Sequence, residues 1–283
     1  MSEWISSLRG EFEALVSPEI DEHQISLARA ALIIARLEYP DLDTEHYLER
    51  LDGLAARVIE MLPDLPETQQ VIAALNQVLF EEEGFQGNRE EYYDPRNSFL
   101  NDVMDRKLGI PISLALVYME VAQRIGFPLF GVGMPGHFLL KHYDVDGRET
   151  FLDPFNRGEM LTRAQCQTML DEIYSGQMPL QPEFLNTVTR RQILTRMLNN
   201  LRQIYMNQRD FRRALLVVDL VLGIHPRSAE DMKQRAMIRY TLNQWRGAAE
   251  DLETYVRMAP DASDADEMRQ TALFLRRRMA MMN

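Results

Sequence analysis

The chain has 283 residues, of which 46% are hydrophobic and 26% charged, a composition that excludes disorder as its main state. Its formal net charge of −12 is unevenly spread, −18 over residues 1–188 and +6 over residues 189–283, and an acidic body of that size argues against nucleic acid as a partner. The single cysteine, Cys166, excludes an internal disulfide and a cysteine-based zinc site.

The opening MSEWISSLRGEFEAL mixes acids with apolar residues and has no small-residue cleavage site, so no signal peptide is expected. Ile25 to Leu37 is apolar on nearly all sides, which predicts a buried helix ended by Pro40. A second helix is expected from about Thr44 to Met61, before Pro63. Val71, Ile72, Leu75, Val78 and Leu79 recur at helical spacing and mark a third. Glu81 to Tyr93, with two glycines and many charges, reads as a loop, and Asn97-Ser98 as the cap of a short helix through Arg106.

Gly109-Ile110-Pro111 then opens an apolar helix that Gly126 ends; proline suits a first helical turn because its missing N–H would have no partner there. Three β segments follow, Pro128–Met134, His137–His142 and Thr150–Asp153, with Asp146-Gly147 at a hairpin turn. Thr162 to Tyr174 reads as a helix. The prolines of Met178-Pro179-Leu180-Gln181-Pro182 make it the expected domain boundary. The longest uncharged stretch, Ile125 to Leu140, is too short and too often broken to span a bilayer. With no export signal, the expected compartment is the reducing cytoplasm.

From about Arg190 the chain reads as helical to its end, and it repeats. Ala248 and Pro260 stand 34 residues after Ala214 and Pro226, the period of tetratricopeptide helix pairs. The match is partial: Arg235 and Arg239 stand where the first copy has Leu201 and Tyr205. Two repeats and a final helix over Asp264–Met281 make a short stack, which needs another surface to bury its open face. The expectation is an α+β domain, mostly helical with a small antiparallel sheet, over residues 1–182. An all-α repeat region over 189–283 follows, docked on that domain.

The blocks YYDPRNSFLNDVMDRKLGIPISLALVYMEVAQRIGFP, GVGMPGHFLLKH and FLDPFNRGEML resemble the SirB family of bacterial proteins, in order and in spacing. A segment of a eukaryotic F-box protein looks similar too. The resemblance implies a transglutaminase-like, papain-like domain joined to tetratricopeptide repeats. In that superfamily a Cys at the N-terminus of a buried helix works with a His on one strand and an Asp on the next. The helix dipole and the His lower the thiol pKa from ~8.5, and the Asp fixes the His tautomer. The His position matches His137 and the Asp position Asp153, 16 residues on. The Cys position falls at Pro111 to Ser113, where no cysteine stands.

Ser113 is the nucleophile-type residue of that turn. A serine hydroxyl ionises far less readily than a thiol, and a helix dipole worth ~0.3–2 kcal/mol does not close the gap. Ser113, His137 and Asp153 are therefore a candidate catalytic set or the relic of one. The expectation is a non-catalytic interaction or regulatory protein that binds a protein or peptide through its repeats. The alternative is a hydrolase or acyltransferase using Ser113, His137 and Asp153. No cofactor, metal or membrane is expected; His137 and His142 lie five apart on a strand and point to opposite faces.

Overall fold

A computed structural model describes residues 3–281. Among these the chain forms two compact units, residues 22–197, and residues 198–281 together with 3–21. This differs from the boundary expected at residues 178–182. The first helix, α1 (Glu3–Val16), belongs with the repeats, and a helix that starts at Arg190 runs through the division.

Residues 22–197 begin with α2 (Leu27–Ala35), in which every residue but Arg29 is buried. The Ser26 side chain accepts from the Arg29 N–H at the start of α2, satisfying one of the unpaired donors of the first turn. Asp43 does the same for α3 (Thr44–Glu60). α4 (Thr68–Asn76) runs on as a π-helical segment, Gln77–Glu82, where a loop is expected from Glu81. α5 (Leu100–Arg106) begins after Phe99, and no side chain caps it; the expected cap, Asn97-Ser98, lies upstream. α6 (Pro111–Arg124) is strongly apolar and is buried along most of its length. Its buried charge is Glu120, which accepts from the Ala28 N–H at 3.1 Å and pairs with Arg124 at 2.6 Å, tethering α2 to α6.

The sheet next to α6 has four antiparallel strands in the order β3 (Phe130–Val132), β4 (Leu139–Tyr143), β5 (Glu149–Asp153) and β6 (Glu159–Leu161). Leu140 faces Leu152 across the central pair, and Phe151 faces Leu161 at the edge. The first three strands fall where the sequence puts them; β6 is additional. A further two-residue parallel pair, β1 (Gln86–Gly87) with β2 (Leu108–Gly109), crosses the expected loop. α7 (Arg163–Tyr174), capped by Thr162, buries Cys166 and Leu170 among Val132, Leu139 and Phe151.

In the second unit, α8 (Arg190–Asn207) contributes from residue 198 onward and is followed by α9 (Phe211–Ile224), α10 (Ala229–Thr241), α11 (Trp245–Met258) and α12 (Ala265–Ala280). Ala214 and Ala248, the repeating small residues, are fully buried, as a close helix crossing requires. Gly223 on α9 is glycine for the same reason: a Cβ there would lie 3.0 Å from Glu13 Cγ and 3.8 Å from Phe12 of α1. Leu8, Phe12 and Val16 of α1 are buried. The two arginines that break the repeat pattern, both part-buried, join two buried aspartates in a quartet. Arg235 donates to Asp219 at 2.7 Å and to Asp251 at 2.7 and 3.0 Å, and Arg239 donates to Asp251 at 2.8 Å. Burial opposes the charge of Arg235, yet the bonds to Asp251 and Asp219 hold its proton more tightly than usual.

Candidate functional site

His137 and Asp153 meet, while the Ser113 hydroxyl bonds to Asn97 and Ile110. His137 Nε2 lies 2.9 Å from Asp153 Oδ2, with Asp153 fully buried and His137 7% exposed. β4 and β5 place the pair: His137 lies two residues before β4, and Asp153 ends β5 and caps the short 3-10 turn Pro154–Asn156. Asp153 Oδ1 accepts from the N–H groups of Phe155 at 3.0 Å and Asn156 at 3.3 Å. Oδ2 accepts from Asn156 Nδ2 at 2.7 Å as well as from His137. The carboxylate thus receives four hydrogen bonds, which is how a fully buried charge is tolerated.

The His137 ring meets the Phe155 ring edge-on at 5.8 Å. Its backbone carbonyl accepts from Arg196 Nη2 at 2.6 Å, and the same guanidinium reaches the Met134 carbonyl at 3.3 Å. Burial pushes the pKa of Arg196 down. These contacts fix both the ring and the backbone of His137.

Ser113 is fully buried in the first turn of α6. Its hydroxyl donates to the Asn97 carbonyl at 2.6 Å and accepts from the Ile110 N–H at 3.0 Å. Among the described residues no hydrogen bond joins Ser113 to His137. Gly109 allows this seat, since a Cβ there would lie 2.8 Å from Ser113 Oγ. Pro111, at the first helical position, brings neither a nucleophile nor an N–H.

Cys166 is fully buried on α7, and burial pushes its thiol pKa up to about 11, the opposite of what a nucleophile needs. His142 stacks on Phe127 at 4.2 Å and its Nδ1 lies 2.9 Å from the Pro128 carbonyl. Among the described residues no group of three or more His, Cys, Asp or Glu side chains could hold a metal ion.

Three asparagines build the surroundings without being legible beforehand. Asn97 is fully buried and donates to the carbonyls of Glu91 at 2.7 Å and Tyr92 at 3.2 Å. Asn88 donates to Asn97 and accepts from the Glu91 N–H, so together they hold the Tyr92-Tyr93 loop. Asn156 orients Asp153. The available signal for Asn97 and Asn156 was their place inside the family-like blocks; Asn88 lies just before the first of them.

A family model described as transglutaminase-like superfamily matches residues 45–199, and one described as tetratricopeptide repeat matches residues 201–272. A UPF0162 protein of Xylella fastidiosa is 38% identical over 257 residues, covering 88% of this chain and 90% of its own length. Protein SirB1 of Salmonella typhimurium is 26% identical over 226 residues, covering 80% of this chain and 82% of its own. F-box only protein 21 of Homo sapiens is 27% identical over 195 residues, covering 65% of this chain and 30% of its own.

Proposed function

The chain belongs to the SirB-like family, transglutaminase-like proteins with tetratricopeptide repeats, and on that premise we propose that it is a non-catalytic interaction protein of regulatory type. The observation that carries this reading is the Ser113 hydroxyl. It donates to the Asn97 carbonyl rather than to His137, in the turn where the superfamily's cysteine would stand. Pro111 and the unreactive setting of Cys166 support the same reading, since they leave His137 with no nucleophile to activate. His137 and Asp153 then act as a clamp between β4 and β5. Tetratricopeptide helix pairs commonly hold peptides. Met206, Met237 and Tyr240 are exposed in the repeat unit, which supports a protein or peptide partner there.

The wild type, Ser113→Ala and His137→Ala are to be assayed with amine-incorporation, amidase and esterase substrates, and Asp153→Ala by urea denaturation. No turnover is expected in any chain, and Asp153→Ala is expected to lose about 2–4 kcal/mol, because its donors stay buried without an acceptor. Turnover in the wild type that vanishes in both Ser113→Ala and His137→Ala overturns the reading in favour of a serine hydrolase or acyltransferase.

A further inference from the structure

A cavity of about 480 Å³ lies against β3, lined from α6, from the segment after it and from the start of α8. Met119, Phe127, Leu129 and Ile193 form its apolar walls, and Ser113, His137 and Asp153 take no part in it. That volume falls within the ~300–1,000 Å³ range of small-molecule sites, which are mostly apolar with a few placed polar groups.

The polar groups of this cavity do not cancel. Glu22 lines it, but its carboxylate is fully engaged. It accepts from the backbone N–H groups of Arg190 at 2.8 Å and Arg191 at 3.3 Å, and from the Arg191 guanidinium at 2.6 Å. His23, Gln123 and Thr189 add polar atoms without a carboxylate. Arg190 also lines the cavity. Its guanidinium donates to the Ile25 carbonyl and, at 3.4 Å, to Gln123 Oε1, both neutral acceptors. Among the described residues its guanidinium takes part in no ion pair. Arg190 is part-exposed, so water also meets its charge, and an anion that enters beside the apolar walls finds a cation not already paired with a carboxylate.

We propose that this cavity binds a small apolar carboxylic acid, its carboxylate on Arg190 and its hydrocarbon body against the walls from α6 and β3. The bidentate fork of arginine suits a carboxylate, and a neutral molecule of the same shape leaves the charge unmet.

The test is calorimetric titration of the full chain with decanoate, decanol and acetate. Decanoate is expected to bind about tenfold or more tightly than decanol, the difference one charge-assisted hydrogen-bonded contact makes, and acetate not to bind. Arg190→Gln is expected to remove the preference for decanoate, and Arg190→Lys to keep part of it. Met119→Trp fills the cavity, leaves Arg190 in place and is expected to weaken decanoate and decanol alike; circular dichroism confirms that each variant is folded. Should Arg190→Gln fail to fold, the wild-type preference and the Met119→Trp loss decide. Absence of decanoate binding at millimolar concentration, equal affinity for decanol, or a preference unchanged in a folded Arg190→Gln chain overturns the proposal. So does a short peptide with a free C-terminal carboxylate that binds where decanoate does not.

Discussion

Asp153 receives hydrogen bonds from His137, from Asn156 twice and from the Phe155 N–H, while Cys166 lies fully buried nearby in the sequence on α7. The His137–Asp153 pair was legible, because a 16-residue offset carried over from a family pattern survives any detail of packing. The partners of Ser113 were not. A hydroxyl in a first helical turn can bond a backbone group or a base, and only the fold brings the Asn97 carbonyl to 2.6 Å. Asn97 read as a cap residue and Asn88 as one residue of the loop Glu81–Tyr93, and neither position distinguishes them from a buried network, since asparagine serves both roles. Cys166 yields a prediction with a definite sign. Burial raises the folded pKa to about 11, while the unfolded thiol titrates near ~8.5. Between those values the unfolded chain has released a proton that the folded chain keeps. Stability from this thiol is therefore complete below about pH 8.5 and is lost as pH rises toward 11. Iodoacetamide at pH 8 is expected to leave Cys166 unmodified in the folded chain and to label it fully in urea, as read by mass spectrometry. Rapid labelling without urea would show an accessible thiolate.

The helices were the most legible elements, since α2, α3 and α6 combine apolar patterning with stop signals at Pro40, Pro63 and Gly126. What escaped was short or unusual. β6 has three residues, two of them exposed, so no alternation can register. β1 and β2 are held by pairing across twenty residues, with Gln86 N–H donating to Lys107 and Asn88 N–H to Gly109, and no local preference announces them. The repeat was visible as the 34-residue offset, and so was its flaw at Arg235 and Arg239. The compensation for that flaw was not, because Asp219 and Asp251 lie 16 residues away on either side and look like ordinary surface acids. Both aspartates are in fact 4% exposed. Removing one partner of a buried ion pair leaves an uncompensated charge, so Arg235→Met is expected to cost about 3–5 kcal/mol. Arg235→Met together with Asp219→Leu and Asp251→Leu is expected to recover a good part of that loss. Urea denaturation of the chains measures both. A single variant within 0.5 kcal/mol of wild type, on the order of a surface substitution, would mean the quartet contributes nothing net.

At the scale of the molecule, the prolines at 179 and 182 pointed to a boundary, yet the compact units part at residue 198 and the second reclaims residues 3–21. The amphipathic face of α1 announces that it packs on something, but not on what. Its partner α9 lies about 200 residues away in the chain, beyond the reach of any local pattern. Burial of Leu8, Phe12 and Val16, at about 1.5–3 kcal/mol for each fully buried side chain, makes α1 part of the unit's stability. A fragment of residues 189–283 is expected to melt at least about 10 °C below the same fragment with residues 1–21 joined to it through a flexible linker, a shift that ~2 kcal/mol produces in a unit of this size. Equal melting temperatures in circular dichroism would mean that α1 is dispensable.

The placement of α1 also sets an order of events during synthesis. α1 leaves the ribosome about 200 residues before α9, the helix that covers it. At ~5–20 residues per second, translation keeps the apolar stripe of α1 waiting for about 10–40 s. For that interval Leu8, Phe12 and Val16 have no α9 to cover them. The nascent chain therefore offers the apolar stripe of α1 to chaperones, and the stretch encoding α9 is the point at which that exposure ends.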